Sequence, residues 1–582
     1  MGLIRFGAEA FGSMPNFRLQ VVTNTTCKTP LAGERPDLIG RLRYTFFNRS
    51  VTSGELILAV AMFIAVSANT AFFSAAIAAF GNGATAWPFH ASLFLSVVAF
   101  FVLLLSLLCH RMLVKPVLIL FVMASAGFAY FAHAYGTVFD RQMIANALQT
   151  DSAEAFDLVT PALLIWVAVF GVLPSIAVWR SNLVFPDWKA ETIARLKLAG
   201  VALAVLAVSG LAFGGHYAGL LRQHPEVTGR LIPSYPLVSA FRHFMHGSRA
   251  AHDVHVVIGQ DAVRTAHPQR ELVIMVVGET VRADHWGLNG YVRDTTPSLR
   301  KEKVLNFAKF RACGTSTAVA VPCMFSDLGR ANFDTEAAVH RDNVLDVLAR
   351  TGVSVLWRDN NSSSKGVADR VTYEDFKSPA RNPICEDGEC RDEGMLAGLQ
   401  DYIDKQTGDI LIVLHQMGNH GPAYYKRYPK EFERFTPVCA TSDLGSCTSE
   451  QLINTYDNAI LYTDHFLSKV ILLLKANDAN FETAMFYLSD HGESLGEFGL
   501  YLHGAPYALA PEAQKHVPAV MWLGEGMKRD VVQSSLAERS QRQWSQDNVF
   551  STLLGFFEIN SHNYDPKQDI LERTGFNVSA RH

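Results

Sequence analysis

The chain has 582 residues, of which 18% are charged, with a mean hydropathy of +0.12 and a net charge of −4. That length predicts two or three structural units, and a slightly negative balance without a basic stripe excludes a nucleic-acid partner. Apolar residues are unevenly placed: nearly all long uncharged runs precede residue 222, and the rest reads as a soluble α/β sequence.

In chain order, residues 1–50 form an extension with seven basic residues and no apolar stretch of signal-peptide length, so the first span is expected to direct insertion. Five runs then have the length and apolarity of membrane-crossing helices: Leu56–Phe80, Ala91–Leu108, Leu113–Ala132, Leu158–Trp179 and Leu198–Leu220. A buried core helix would account for one such run, but not for five in succession. Basic residues alternate along the loops: none follow the first span, Arg111 and Lys115 follow the second, Arg141 follows the third, and Arg180, Lys189, Arg195 and Lys197 follow the fourth. The alternation predicts a cytoplasmic N-terminus and an exported C-terminal part. After the third span, Asn146, Thr150 and Glu154 recur every four residues and would share one helix face at the outer membrane surface. Such a stripe could hold a lipid head group, or simply face water.

The boundaries that follow are 1–50 for the extension, 51–221 for the membrane part, 222–268 for a partly helical connector along the membrane surface, and 269–582 for the exported domain. From Glu271 onward, short apolar runs alternate with helical stretches. Leu272–Val277, Val353–Trp357, Ile410–Leu414, Ala484–Leu488 and Val517–Trp522 read as buried strands, and Glu450–Lys475 as the clearest helix. This pattern predicts a mainly parallel sheet covered by helices on both faces, with functional residues at the carboxyl ends of strands. Six exported cysteines fall into three close pairs, Cys313/Cys323, Cys385/Cys390 and Cys439/Cys447, which read as disulfides in an oxidising compartment. Each such loop contributes roughly 2–3 kcal/mol by chain entropy.

The polar clusters sit at strand ends. Glu279 directly follows the first buried strand, where it could bind a metal or merely cap a loop. Asp490 and His491 follow the fourth and are closed by Gly492, offering an oxygen and a nitrogen ligand of the kind zinc accepts. Between them, the turn CGTST (313–317) leads into a helical stretch, so Thr317 would stand near a helix N-terminus that favours a phosphoryl oxygen. An N-cap threonine would look the same, and Thr315 and Ser316 compete for the nucleophile role on spacing alone. A hydroxyl needs a base or a metal to become a nucleophile. His415 and His420 follow the third strand, His503 lies in YLHG (501–504), and Asn361 and Lys365 lie in RDNNSSSK (358–365); these could clamp a phosphate, or remain solvated loop residues.

In this order and spacing, VVGET (276–280), CGTSTAVAVPCMFS (313–326), LWRDNNSSSKGV (356–367), CRDEGML (390–396), LHQMGNHGPAY (414–424), SDHGESLGE (489–497) and YLHG (501–504) resemble the lipid A phosphoethanolamine transferases, which include the mobile colistin-resistance enzymes. The resemblance covers nearly the whole chain after residue 50. It implies an alkaline-phosphatase/sulfatase-like α/β periplasmic domain on a five-helix membrane bundle, in the bacterial inner membrane. It also implies one tight zinc ion held by Glu279, Thr317, Asp490 and His491, with room for a second, weaker one, and it selects Thr317 as the nucleophile. His420 and His503 correspond to residues that bind substrate phosphate or a second zinc; Asn361 and Lys365 correspond to donor-phosphate contacts, and Asn146, Thr150 and Glu154 to head-group positions. The implied partners are phosphatidylethanolamine as donor, lipid A or lipopolysaccharide as acceptor, and the surrounding lipids, with the chain a monomer. The implied outcome is lower susceptibility to cationic peptides. Rival readings keep the same chemistry on an inner-core sugar, a periplasmic glucan or a protein glycan, or use the fold as a phosphoglycerol transferase or phosphohydrolase. A sulfatase would need an x-Pro-x-Arg run after its nucleophile, which is absent here. A non-catalytic sensor would not need these groups at strand ends.

Overall fold

The structure, a computed structural model, describes residues 50–150, 152–250, 254–265, 269–386 and 388–574. The expected N-terminal extension therefore lies outside the described residues, with Ser50 its one exception. Val51–His582 form one unit by contacts.

Among the described residues, four helices are long and apolar enough to cross a membrane: Trp87–Leu108, Val114–Ala134, Pro161–Arg180 and Trp188–Gln223. The expected first span is instead a pair, Ser53–Ser67 and Thr70–Phe80, bent by 59°; counted as one span it makes five. The bend has a polar joint. Fully buried Asn69 donates through Nδ2 to the carbonyls of Ile64 (3.1 Å) and Ile232 (2.8 Å), and its Oδ1 accepts from the Ile232 amide (2.9 Å). The side chain satisfies backbone groups that a broken helix would otherwise leave bare in an apolar setting, and it ties the connector to the first span. Farther along the connector, helix Ser234–Ala250 packs beside helix Arg141–Gln149.

The stripe expected over residues 146–154 does not form on one helix. Arg141–Gln149 starts at an Asp140 cap that accepts from the Met143 amide, and it stops at Thr150, whose backbone is extended (ψ 131°). A new helix, Ser152–Asp157, follows. The i, i+4 relation is lost at Thr150, whose hydroxyl turns back to the Asn146 carbonyl (2.9 Å). Glu154's side chain lies outside what the structure describes.

The chain after residue 269 is built on an eight-stranded sheet of β1 (Arg270–Gly278), β2 (Leu305–Arg311), β3 (Ser354–Asp359), β4 (Thr372–Asp375), β5 (Ile410–His415), β6 (Phe481–Ser489), β7 (His516–Leu523) and β8 (Trp544–Ser545). The spatial order is β8-β2-β7-β6-β1-β5-β3-β4. β6, β1, β5, β3 and β4 are parallel, and β7 runs antiparallel to both its neighbours. Along β1, Val273, Met275 and Val277 face one core, with Val344–Leu348 and Val549–Phe557; Leu272, Ile274 and Val276 face the other, with the long helix Ser449–Asn477. A strand buried on both faces reads as an unbroken apolar run, which is why β1, β5 and β6 stand out in the sequence. β2, β4 and β8 do not, because they are partly exposed or only a few residues long.

Register decides where the ends fall. Gly278 of β1 is level with Ser489 of β6, Val277 with His415 of β5, and His415 with Asp359 of β3. The four loops that follow these strands therefore emerge together at one edge.

Candidate active site

Those loops carry Glu279, Asp490, His491, Asn361 and His420. Glu279, Asp490 and His491 are fully buried, and each offers a ligand atom within 4.8 Å of the other two. Thr317, the first residue of helix Thr317–Phe325, brings Oγ1 to 3.2 and 3.4 Å from the Glu279 carboxylate oxygens and 3.4 Å from His491 Nε2. Of the competing hydroxyls, Thr315 donates to the Ala505 carbonyl (2.6 Å), and Ser316 is the N-cap without a side-chain capping bond.

Asp490 and His491 are each fixed by a second polar atom. Asp490 Oδ1 accepts from the amides of Thr280 (3.1 Å) and His491 (2.7 Å), while its Oδ2 is buried without a hydrogen-bond partner among the described residues. His491 Nδ1 sits 2.9 Å from the Gly492 carbonyl, which selects the tautomer with a lone pair on Nε2. Burial holds the His491 imidazole at about 3, far below its ordinary range, so the ring is neutral. Gly492 is required here: a Cβ would meet the Ala513 carbonyl at 1.9 Å. Two buried carboxylates, one of them with an orphaned oxygen, converge with a neutral imidazole nitrogen and fit a divalent cation. Without one, the paired negative charges would be costly to bury.

The turn is strained and braced. Thr280 has φ +54°, an unfavourable conformation for a β-branched residue. The hydroxyl of Tyr456 donates to the Thr280 carbonyl (2.5 Å) and accepts from the Arg282 amide (3.0 Å).

Other expected residues are divided. His420 and His503 stand together, with ring centroids 5.4 Å apart, and His503 is 4.3 Å from the His491 ring; Nδ1 of His503 lies 3.3 Å from the Glu493 carboxylate. Both line a cavity of about 180 Å³ with Asn146, Thr150, Met143, Phe131 and Tyr135, so helix Arg141–Gln149 and the sheet edge share it. Asn361 does not stand as an open donor: both its amide contacts go to protein, at Glu279 (2.7 Å) and the Gln416 carbonyl (2.8 Å). Lys365 Nζ contacts Ser362 Oγ (2.6 Å) and the Gln149 carbonyl (3.4 Å). His415 is a core residue, fully buried and held by Asp359 (3.0 Å) against Trp357.

The three expected cysteine pairs are bonded, Cys313 to Cys323, Cys385 to Cys390 and Cys439 to Cys447, but only the first belongs to the site, where it brackets the Thr317 turn. The other two stand outside the Glu279, Asp490 and His491 cluster and the cavity wall, and they brace loops. Cys385 and Cys390 face each other across the antiparallel pair Cys385–Glu386 and Glu389–Cys390, and the Cys390 carbonyl accepts from Asn360 Nδ2 (2.9 Å). Cys447 directly precedes Thr448, the N-cap of helix Ser449–Asn477, and Cys439 anchors the far end of that loop by donating its amide to Thr455 Oγ1 (2.7 Å). Close spacing in sequence identifies a bond without saying which loop the bond serves.

Two organising residues escaped the sequence reading. Buried Asp392 accepts from Asn360 Nδ2 (2.8 Å), Gln416 Nε2 (3.2 Å) and the amides of Met417 (2.8 Å) and Gly418 (3.1 Å), and so shapes the loop against Glu279. It lies in the CRDEGML segment, so a signal existed without a role attached to it. Gln546, a lone glutamine after a two-residue strand, carried none.

Residues 97–247 match the family described as phosphoethanolamine transferase EptA/EptB, and residues 271–559 match the sulfatase family. The chain is 42% identical to phosphatidylethanolamine transferase Mcr-2 of Escherichia coli over 529 residues, covering 89% of this chain and 97% of that one. It is 42% identical to phosphoethanolamine transferase EptA of E. coli K12 over 530 residues, covering 89% and 96%. Among solved structures, the integral membrane lipooligosaccharide phosphoethanolamine transferase A of Neisseria meningitidis superposes with a TM-score of 0.87 at 35% identity, covering 90% of this chain and 99% of that one. The chain is therefore a member of the phosphoethanolamine transferase family, an enzyme with an alkaline-phosphatase/sulfatase-like domain beside its membrane helices.

Proposed function

We propose that this enzyme moves phosphoethanolamine from phosphatidylethanolamine to a phosphate of lipid A, at the periplasmic face of the bacterial inner membrane. The observation that carries this reading is the Thr317 hydroxyl, 3.2–3.4 Å from Glu279 and His491 at the start of a helix. The polar head of a lipid donor suits the cavity at His420 and His503, where Phe131, Tyr135 and Met143 supply an apolar wall.

Glu279, Asp490, His491 and Thr317 would hold a zinc ion, since they offer the oxygen–nitrogen set zinc favours. Bound there, it would lower the pKa of a coordinated hydroxyl and neutralise charge on phosphoryl oxygens. Thr317 Oγ1 gives its proton to water and bonds to the donor phosphorus; the bond from that phosphorus to the diacylglycerol oxygen breaks, and the departing oxygen takes a proton from water. His420 and His503 bind the phosphate oxygens. Asn361 acts at one remove, by orienting Glu279. In the second half-reaction a lipid A phosphate oxygen attacks the same phosphorus, and the threonine oxygen leaves and is reprotonated. One chain supplies every group named, so a monomer suffices. The added amine offsets acceptor negative charge and weakens binding of cationic peptides.

The test is mass spectrometry of the purified protein after exposure to phosphatidylethanolamine vesicles, and of lipid A from cells with and without the gene. A phosphoethanolamine adduct mapping to Thr317, lost in Thr317→Ala, and the same mass shift on lipid A are expected. An adduct elsewhere removes the nucleophile role. An unmodified lipid A with another modified glycan moves the acceptor.

A further inference from the structure

Gln546 is fully buried on the short turn Gln546–Asn548 that follows β8. Its Oε1 accepts from the Cys313 amide (2.7 Å), and its Nε2 donates to the carbonyls of Ser489 (2.9 Å) and Asp490 (2.6 Å). The acceptor and both donor contacts of one carboxamide are thus made with backbone, and with two different loops. Cys313 opens the turn that carries Thr317; Ser489 and Asp490 open the turn that carries His491. The Cys313–Cys323 bridge ties Cys313 to helix Thr317–Phe325 from the other side, so the Cys313 amide and the Thr317 turn move together.

We infer that Gln546 is a positioning residue for the transfer reaction, setting the separation between the nucleophile turn and the metal-ligand turn. The inference rests on the reading of Thr317 as nucleophile. Only a neutral amide can accept from one loop while donating twice to the other: a glutamate keeps the acceptor and loses the donors, and a methionine of similar size keeps neither. Gln546 is not among the residues lining the cavity at His420 and His503, so donor binding is untouched by it. Misplacing reacting groups by about 1 Å costs on the order of a hundredfold in rate.

The experiment uses the full-length protein in detergent with phosphatidylethanolamine micelles. It measures the rate of adduct formation, KM for the donor and the Tm for wild type, Gln546→Met, Gln546→Glu and Asn548→Ala. Asn548 belongs to the same turn, but its side chain faces Gln568 and Ser545 instead of the site. Both Gln546 variants are expected to lose at least tenfold in kcat, methionine more than glutamate, with KM within about twofold; Asn548→Ala is expected to lower Tm and keep kcat. A folded Gln546→Met with wild-type kcat overturns the proposal, as does an equal kcat loss in Asn548→Ala at matched Tm. If Gln546→Met does not fold, Gln546→Glu is judged by the same criteria; if both fail while Asn548→Ala folds, the role is structural and the proposal fails. A wild-type adduct on a residue other than Thr317 overturns the nucleophile reading, and this inference with it. An adduct on Thr317 with unaltered Gln546 variants overturns this inference alone.

Discussion

Asn361 Nδ2 donates to Glu279 Oε2 at 2.7 Å and to the Gln416 carbonyl at 2.8 Å, so one amide ties the carboxylate after β1 to the loop after β5. Groups that orient metal ligands in this way change metal affinity about 10–100-fold when removed. With the proposed zinc bound, Asn361→Leu is expected to weaken metal retention by that factor in chelator competition and to slow transfer in parallel. Unchanged retention together with full transfer would refute the role.

Asp392 is buried and gathers donors from Asn360, Gln416, Met417 and Gly418. Burial raises its pKa from the usual carboxyl range. Asp392→Leu leaves those donors without an acceptor and should destabilise the protein by about 2–4 kcal/mol, read as a lower Tm in detergent. A wild-type Tm would show that the loop is held by other means.

Asp464 accepts from the amides of Ser298 (2.8 Å) and Leu299 (2.9 Å) at the start of helix Pro297–Glu302, and burial pushes its pKa up to about 6. An unfolded aspartate titrates near 3.9, so between about pH 4 and pH 6 the folded state binds more protons than the unfolded one. Stability from this group is thus present at acid pH and is lost as pH rises through that window, by about 3 kcal/mol. Across the window the slope of stability against pH should be more positive in Asp464→Asn than in wild type, read from thermal unfolding. Identical slopes would exclude Asp464 as the source.

Ala147 lines the cavity that also contains His420 and His503. Ala147→Trp fills that space with an aromatic side chain without touching Thr317. KM for phosphatidylethanolamine should rise about tenfold, a loss of roughly 1.4 kcal/mol in donor binding, with the adduct still forming on Thr317 at saturation. A tenfold fall in kcat at constant KM would place the donor elsewhere.

The segments legible in the sequence are those whose signal is local. β1, β5 and β6 announce themselves because burial on both sheet faces demands unbroken apolar runs, and Glu279, Asp490 and His491 are found by standing directly after them. The cysteine pairs are readable from their short separations alone, although the loops that Cys385–Cys390 and Cys439–Cys447 brace are not. Reading 146–154 as one helix failed because a four-residue spacing is silent about a break at Thr150. The first span read as straight because hydropathy does not register Asn69 turning to Ile232.

What the sequence determined by itself is chemistry and kind: apolar runs of membrane length, a buried sheet, and the types of side chain at its strand ends. Tertiary structure alone decided their partnerships. Asn361 meets Glu279, Asp392 collects four donors, and Gln546 joins Cys313 to Asp490, because strand register brings distant loops to one edge. Hydrogen bonds between residues dozens to hundreds of positions apart leave no periodicity in the chain, since their geometry exists only once the sheet has formed.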